Sequence, residues 1–125
     1  MWKKALPVLL LPWLLAGCTA TFTNLSAKHQ VRNPENLYPV EVALNTRQQS
    51  LRWETIQPFV MVGDESYPMR PTLLMTNRWE GLLPVPAQTN VVYYRYKFDF
   101  QYRDFGGPRT DSASSPEYQL QILEQ

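Results

Sequence analysis

Nucleophilic catalysis requires a nucleophile beside a base, and the 125-residue sequence contains one cysteine, Cys18, and one histidine, His29. A serine or cysteine hydrolase usually activates its nucleophile with histidine. His29 lies in a polar stretch near the amino terminus, where we expect an exposed side chain. The single cysteine also excludes an intramolecular disulfide, a zinc site of several cysteines and a redox pair. We therefore predict that the protein is not an enzyme.

Metal chemistry has one weak candidate, the acidic turn Gly63-Asp64-Glu65. A calcium cage needs about six or more oxygen ligands, and the next acids along the chain are Glu54 and Glu80. The segment is therefore more typical of a hairpin turn, and we predict no metal site and no cofactor. Two carboxylates across a cleft, as glycosidases use them, remain compatible with the composition.

Aromatic side chains are better candidates for a binding surface. Trp53, Tyr67 and Trp79 lie outside the densest apolar pattern of the sequence. Rings of this kind stack on sugars or contact a protein, because they combine a large apolar face with a polar atom. A small domain also needs large side chains in its interior, so each of the three is a candidate for the core as well.

The segment 104–116 is a second candidate surface. It is rich in Ser, Gly and Pro and longer than a hairpin requires. Long connections on a rigid scaffold are either mobile or functional. We therefore expect a long loop here, which either moves or contacts a partner through Phe105 and Arg109.

The amino terminus has the parts of a secretory signal, with Lys3-Lys4 followed by the eleven-residue apolar run Ala5–Leu15. A membrane-spanning helix needs about 20 apolar residues, and this run ends well short of that. The four residues Leu15-Ala16-Gly17-Cys18 then resemble the lipobox of bacterial lipoproteins. The resemblance implies that residues 1–17 are removed as a signal peptide and that the thiol and the new amino terminus of Cys18 are acylated, for example with palmitate.

The lipid determines where the domain resides. Two or three acyl chains hold a protein on a membrane essentially permanently, whereas one chain binds only marginally. Thr19, after the cysteine, is not the Asp associated with retention in the inner membrane of Gram-negative bacteria. The resemblance therefore implies an outer-membrane lipoprotein that faces the periplasm. We expect residues 18–32 to be a tether of at most about 50 Å, or a first strand that holds the domain closer.

The rest of the chain alternates between apolar and polar residues with the period of a strand. The clearest case is the segment 92–102, where every second residue is apolar: Val92, Tyr94, Tyr96, Phe98, Phe100 and Tyr102. A shorter alternation predicts that four side chains of the segment 37–44 point inward: Tyr38, Val40, Val42 and Leu44. Further strand candidates are the segments 22–27, 56–62, 66–69, 73–76, 79–85 and 118–122.

Seven or eight short strands in about 105 residues predict an all-β, antiparallel two-sheet sandwich. In length, strand number and a long aromatic penultimate strand, the layout resembles immunoglobulin-like domains of bacterial envelope proteins. Trp53 lies near the start of a plausible third strand, although no cysteine pair accompanies it. A small barrel of equal size is the alternative.

We therefore expect one domain, residues 33–125, on a lipidated anchor. Without Lys3 and Lys4 the formal charge of +1 becomes −1, which indicates no nucleic-acid partner. The expected function is that of an envelope lipoprotein acting as a non-catalytic accessory or structural subunit that binds a protein. A carbohydrate- or peptidoglycan-binding module is the alternative, with Trp53, Tyr67 and Trp79 as the sugar platform.

Overall fold

The computed structural model describes residues 20–46 and 51–124, and these fold as a β-sandwich of two sheets. Its ten strands are β1 (Ala20–Asn24), β2 (His29–Val31), β3 (Leu37–Thr46), β4 (Leu51–Val62), β5 (Glu65–Pro68), β6 (Arg70–Pro71), β7 (Arg78–Pro84), β8 (Val91–Asp104), β9 (Gly107–Ser114) and β10 (Tyr118–Leu123). The all-β sandwich is thus confirmed. The predicted signal peptide and Cys18 lie outside the described residues.

Antiparallel pairing dominates both sheets. The first sheet has the order β1-β3-β7-β6, and the second has the order β2-β10-β8-β4-β5, with β9 also paired to β8. Among the described strands, only β2 and β10 pair in parallel. The described strands outnumber the expected seven or eight. The additional ones are β2 and β6, which are too short to give a sequence pattern, and β9, which forms where a loop was expected.

The inward alternation of β3 and β8 is confirmed. Tyr38 and Val42 of β3 are fully buried. In β8, Tyr96 and Phe98 are fully buried, while Phe100 is half-buried towards one end. A shift of one residue in β8 would turn its charged face into the core, so the alternation specifies the register strongly. The predicted hairpin of residues 56–62 with 66–69 is also confirmed, as β4 and β5.

A buried tyrosine ties β1 to the opposite sheet. The Tyr96 hydroxyl donates to Asn24 Oδ1 at 2.6 Å and lies 2.9 Å from Ser26 Oγ. Asn24 Nδ2 in turn donates to the Tyr94 hydroxyl at 2.9 Å. Burial raises the pKa of Tyr96 well above its usual range. These bonds hold the start of the described chain firmly against the sandwich.

The antiparallel order brings several distant parts of the chain to one end of the sandwich, which we call the Ala20 end. Ala20 pairs with Thr46, so β1 begins where β3 ends. The β6–β7 turn (residues 72–77), the start of β4 and the β8–β9 turn (residues 105–106) lie at this end too. The opposite end, where β3 begins at Leu37, is the Leu37 end.

Candidate functional site

Trp53 is positioned by an irregularity in β4. The β4–β8 register changes between Arg52, which pairs with Gln101, and Gln57, which pairs with Asp99. Four residues of β4 therefore lie opposite one residue of β8, which makes a large bulge. Thr55 Oγ1 holds it, since it donates to Arg52 O at 2.6 Å and accepts from Gln101 N at 2.9 Å.

The bulge places the Trp53 indole parallel to the Trp79 indole, with ring centroids 6.2 Å apart. Trp79 is only 5% exposed and packs edge-on against Phe98. Trp53, by contrast, is 40% exposed. Of the two tryptophans singled out from the sequence, one therefore belongs to the core and the other forms an aromatic plate at the surface.

Beside Trp53 lies a shallow depression of about 850 Å³. Its lining combines apolar surface with polar groups and comprises Leu44, Asn45, Thr46, Trp53, Glu54, Thr76 and Asn77. Glu54 Oε2 accepts from Arg52 Nε at 3.1 Å, and its own backbone amide and Arg52 lower the pKa of this carboxyl. An aromatic face beside amide and hydroxyl groups can bind a sugar or a polar segment of a protein.

The expected strand over residues 73–76 is wrong, because these residues form the β6–β7 turn. Met75 N donates to Thr72 O at 3.1 Å, and Thr72 N donates to Arg78 O at 2.9 Å. Leu73 and Leu74 are 84% and 93% exposed. The apolar run looks like a strand, but the chain must reverse here for β6 and β7 to pair.

Leu74 also has an unusual backbone, with a φ of 66°. The left-handed region costs a residue other than glycine about 1–2 kcal/mol, and a bulky residue there is an outlier. Glycine or asparagine would make the same turn more easily. An exposed leucine in this conformation therefore suggests a role for the side chain outside the fold itself.

The expected long loop over 104–116 is also wrong. Gly107–Ser114 is β9, which pairs with β8 along its whole length. Only a tight turn of residues 105–106 remains, in which Phe105 has a relative exposure of 107%. Gly107, where β9 begins, has a φ of 110°. Arg109 is exposed within β9, opposite Tyr102. The strand forms because β8 is 14 residues long and extends past β10, so that its remaining backbone groups on that edge can pair with β9.

The outer edge of β9, eight residues long, is not covered by any other described strand. Ser115 N donates to Tyr96 O at 2.9 Å, and hydrogen-bonded and non-hydrogen-bonded pairs alternate along antiparallel strands. The backbone groups of Ser112 and Ser114 therefore point away from β8. In agreement with this, Ser112 N donates to Asp111 Oδ1 at 2.7 Å rather than to β8.

Tyr67 and His29 lie away from Trp53. Tyr67 is half-buried in β5, and its hydroxyl donates to Glu65 Oε1 at 2.8 Å, which raises its pKa. His29 is exposed in β2, opposite Gln121. The structure thus brings Trp53 and Trp79 together and leaves Tyr67 elsewhere, so the three aromatics do not form one platform.

Sequence reasoning missed the two exposed leucines and the β9 edge. Pro71 before Leu73 and Asn77 after it were turn signals that favoured a hairpin tip. The β9 edge had no comparable signal, because its residues are polar on both faces. Among the described residues, no group of three His, Cys, Asp or Glu side chains could hold a metal ion.

Comparison with known proteins does not assign the chain to a family. No protein-family model matches the chain, and no curated protein matches it either. Within the part of the chain that the structure describes, no helix is long and apolar enough to cross a membrane.

Proposed function

We propose that the protein is a bacterial envelope lipoprotein, anchored through lipid on Cys18, that binds a protein partner without catalysing a reaction. The observation that carries the proposal is the outer edge of β9, an eight-residue strand that is exposed along most of its length. An uncovered strand edge accepts an extended segment of another chain. The partner is then a protein with such a segment, held by main-chain hydrogen bonds.

The edge is suited to reversible binding. Each main-chain bond that is exchanged with water contributes a net of about 0.5–1.5 kcal/mol, so a few bonds give a modest affinity. Asp111 Oδ1 covers the outward amide of Ser112, and Pro108 at the start of β9 has no amide to donate. Both features discourage indiscriminate pairing of strands, so a partner has to displace the Asp111 contact.

Anchoring supports the same proposal, because a lipid on Cys18 would confine the domain to the surface where an envelope partner resides. By the lipobox resemblance this surface is the periplasmic face of the outer membrane. Replacing Cys18 with Ala is expected to leave the precursor uncleaved and to remove it from the detergent phase. Normal detergent partitioning of Cys18→Ala would overturn the anchoring part of the proposal.

The partner is tested by cross-linking in cells that express the full chain with a carboxy-terminal tag. A photoreactive amino acid at Ser114 should capture one abundant envelope protein, identified by mass spectrometry. Ser112→Pro removes an outward amide without removing a β8 hydrogen bond and should abolish the capture. Ser112→Ala retains the amide and should preserve it. Equal capture by both variants, or none while a known envelope complex cross-links normally, would refute binding at this edge.

A carbohydrate- or peptidoglycan-binding function is the second candidate, and the exposed face of Trp53 favours it. Trp53 and the amides of Asn45 and Asn77 border the same depression, as a sugar site requires. Binding of cell-wall fragments that Trp53→Ala abolishes and Ser112→Pro preserves would support this candidate over a protein partner.

A further inference from the structure

We propose that the Ala20 end of the sandwich rests in the surface of the membrane, with Leu73, Leu74 and Phe105 inserted among the lipids. The inference rests on the proposed anchoring of Cys18, and it adds an orientation and a second, non-covalent contact with the bilayer. The occupant of this apolar surface is therefore a phospholipid membrane.

Chain length determines which end faces the membrane. Cys18 lies two residues before Ala20, so at most about 7 Å of chain separates them. Ala20 begins β1 and lies opposite Thr46 of β3 in the first sheet. Of the two expectations for residues 18–32, a long tether or a first strand, the described residues show the strand, because β1 begins two residues after Cys18. A lipid on Cys18 must hold the Ala20 end at the bilayer surface and the Leu37 end away from it.

The β6–β7 turn reaches about as far as the anchor point. Arg78, where β7 begins, pairs with Ala43, and Thr46, the partner of Ala20, is three residues beyond Ala43. The turn extends past Arg78 in the same direction, since Asn77 O accepts from Leu44 N at 3.0 Å. Strands lie about 4.8 Å apart and rise about 3.3 Å per residue. Leu74 is therefore within roughly 15 Å of Ala20 and at a similar height.

The most exposed apolar side chains lie at this end. Among the described residues, three large apolar side chains are more than 80% exposed, and all three lie here: Leu73, Leu74 and Phe105. Leucine and phenylalanine insert into the boundary between headgroups and acyl chains, and tryptophan favours the same depth. Trp53, 40% exposed at the same end, would lie at the headgroup level.

The turns at the Leu37 end have a different character. Their exposed side chains include Glu35 before β3, Asp64 in the β4–β5 turn and Gln88 between β7 and β8. Such side chains suit water. Apolar side chains near the Leu37 end are less exposed, with Val31 at 52% and Leu123 at 40%. The most exposed apolar side chains of the described residues thus lie at the end that the chain connects to Cys18.

Depth measurements on the lipidated full chain test the inference. Because lipid occupies Cys18, a cysteine introduced at Leu74 is the only free thiol, and Gln88→Cys provides the matched probe at the other end. Both carry a nitroxide in vesicles of phosphatidylethanolamine and phosphatidylglycerol. The ratio of collision rates with oxygen and with a polar nickel complex should be several-fold higher at position 74. Equal ratios at the two positions, in protein that stays bound to the vesicles, would contradict insertion of the Ala20 end but not the lipid anchoring of Cys18.

Native fluorescence gives an independent measurement without a probe. The four tryptophans are Trp2, Trp13, Trp53 and Trp79, so the processed chain retains only the stacked pair at the Ala20 end. Phospholipids brominated near the headgroup should quench this emission. Replacing Leu73, Leu74 and Phe105 with serine should reduce the quenching several-fold, and serine at Val31 and Leu123 should not. Quenching that is unchanged by the triple replacement would refute lipid contact.

Two further outcomes are distinguishable. Release of the wild-type protein from washed vesicles would show that the anchoring itself has failed. Spin–spin broadening between labels at position 74 that persists when the protein is diluted in lipid would show that a second copy covers these side chains, which overturns the lipid assignment.

Discussion

The Trp53 indole lies parallel to the Trp79 indole at a centroid distance of 6.2 Å, although the two residues belong to different sheets. Trp79 is in the core, whereas Trp53 lies above it with 40% of its surface exposed. The pair therefore closes the Ala20 end of the sandwich. Its outer member combines a packing role with an accessible face.

The two tryptophans should differ in their contribution to stability. We expect Trp79→Ala to lower the free energy of unfolding by about 3–5 kcal/mol, as large-to-small changes in a core do. Trp53→Ala should cost about 1 kcal/mol, since much of its surface remains in water in the folded state. Urea unfolding followed by circular dichroism measures both changes. Equal losses would mean that the two rings are equally buried.

Phe98 tests the orientation of β8. Phe98→Ala should cost about 3–5 kcal/mol, because the ring is fully buried and packs edge-on against Phe22 and Trp79. Phe105→Ala is the control, and its exposed ring predicts a change within about 0.5 kcal/mol. The melting temperature of each purified variant gives the comparison. An unchanged melting temperature for Phe98→Ala would contradict the inward orientation.

Tyr96 should make the stability of the fold depend on alkaline pH. An unfolded tyrosine ionises near pH 10, while burial raises the pKa of folded Tyr96. Above about pH 10 the unfolded state therefore loses a proton that the folded state keeps, and stability falls. Below that pH the contribution of Tyr96 is fully present.

Tyr96→Phe separates this effect from other alkaline effects. The variant should lose about 1–2 kcal/mol at neutral pH, because Asn24 Oδ1 and Ser26 Oγ lose a buried hydrogen-bond partner. Its stability should then decrease less steeply between about pH 10 and pH 12. Tyr93→Phe, on the exposed face of the same strand, is the control. Identical slopes for wild type and Tyr96→Phe would refute the assignment.

Leu74→Gly should stabilise the fold, which is unusual for a change from leucine to glycine. Relief of the left-handed conformation is worth about 1–2 kcal/mol, and the added freedom of the unfolded chain removes about 0.5–1 kcal/mol of it. We expect a net gain of about 0.5–1 kcal/mol in chemical unfolding. Leu73→Gly, at a position without positive φ, should instead destabilise slightly. A loss at both positions would contradict the strain at Leu74.

The β9 edge and the Ala20 end define one geometry for the proposed lipoprotein. β9 begins at Gly107, next to Phe105, and runs away from the Ala20 end towards Ser114. If the Ala20 end rests on the bilayer, the β9 edge rises from the membrane surface. A partner strand added there would run roughly along the membrane normal, beyond the lipid headgroups.

Much of the fold followed from alternation alone. β3 and β8 were predictable because Val42 and Tyr96 belong to apolar series of period two, which only one register can bury. β9 was not predictable, since a strand with Thr110 and Ser112 among polar neighbours carries no such period. It forms because the 14 residues of β8 extend past β10 and leave backbone groups to be paired.

The candidate site was predicted only in part. Trp53 was identified as a possible contact, but its separation from the buried Trp79 depends on a bulge that no pattern in β4 reveals. Leu73 and Leu74 were assigned to a strand, because three apolar residues in a row resemble one. These residues form a turn because the chain must reverse between β6 and β7 for the two strands to pair. That requirement comes from the pairing of the strands and is not visible in the segment itself.

The alternation of apolar residues specifies which faces of β3 and β8 point inward, because burial of apolar side chains is a local choice between two sides of a strand. The sequence also specifies that the chain has a single thiol, that of Cys18. That Ala20, Leu74 and Phe105 share one end of the sandwich follows from strand pairing in the folded protein. Antiparallel pairing returns turns that are distant in sequence to the same place, and neither composition nor spacing specifies which turns will meet.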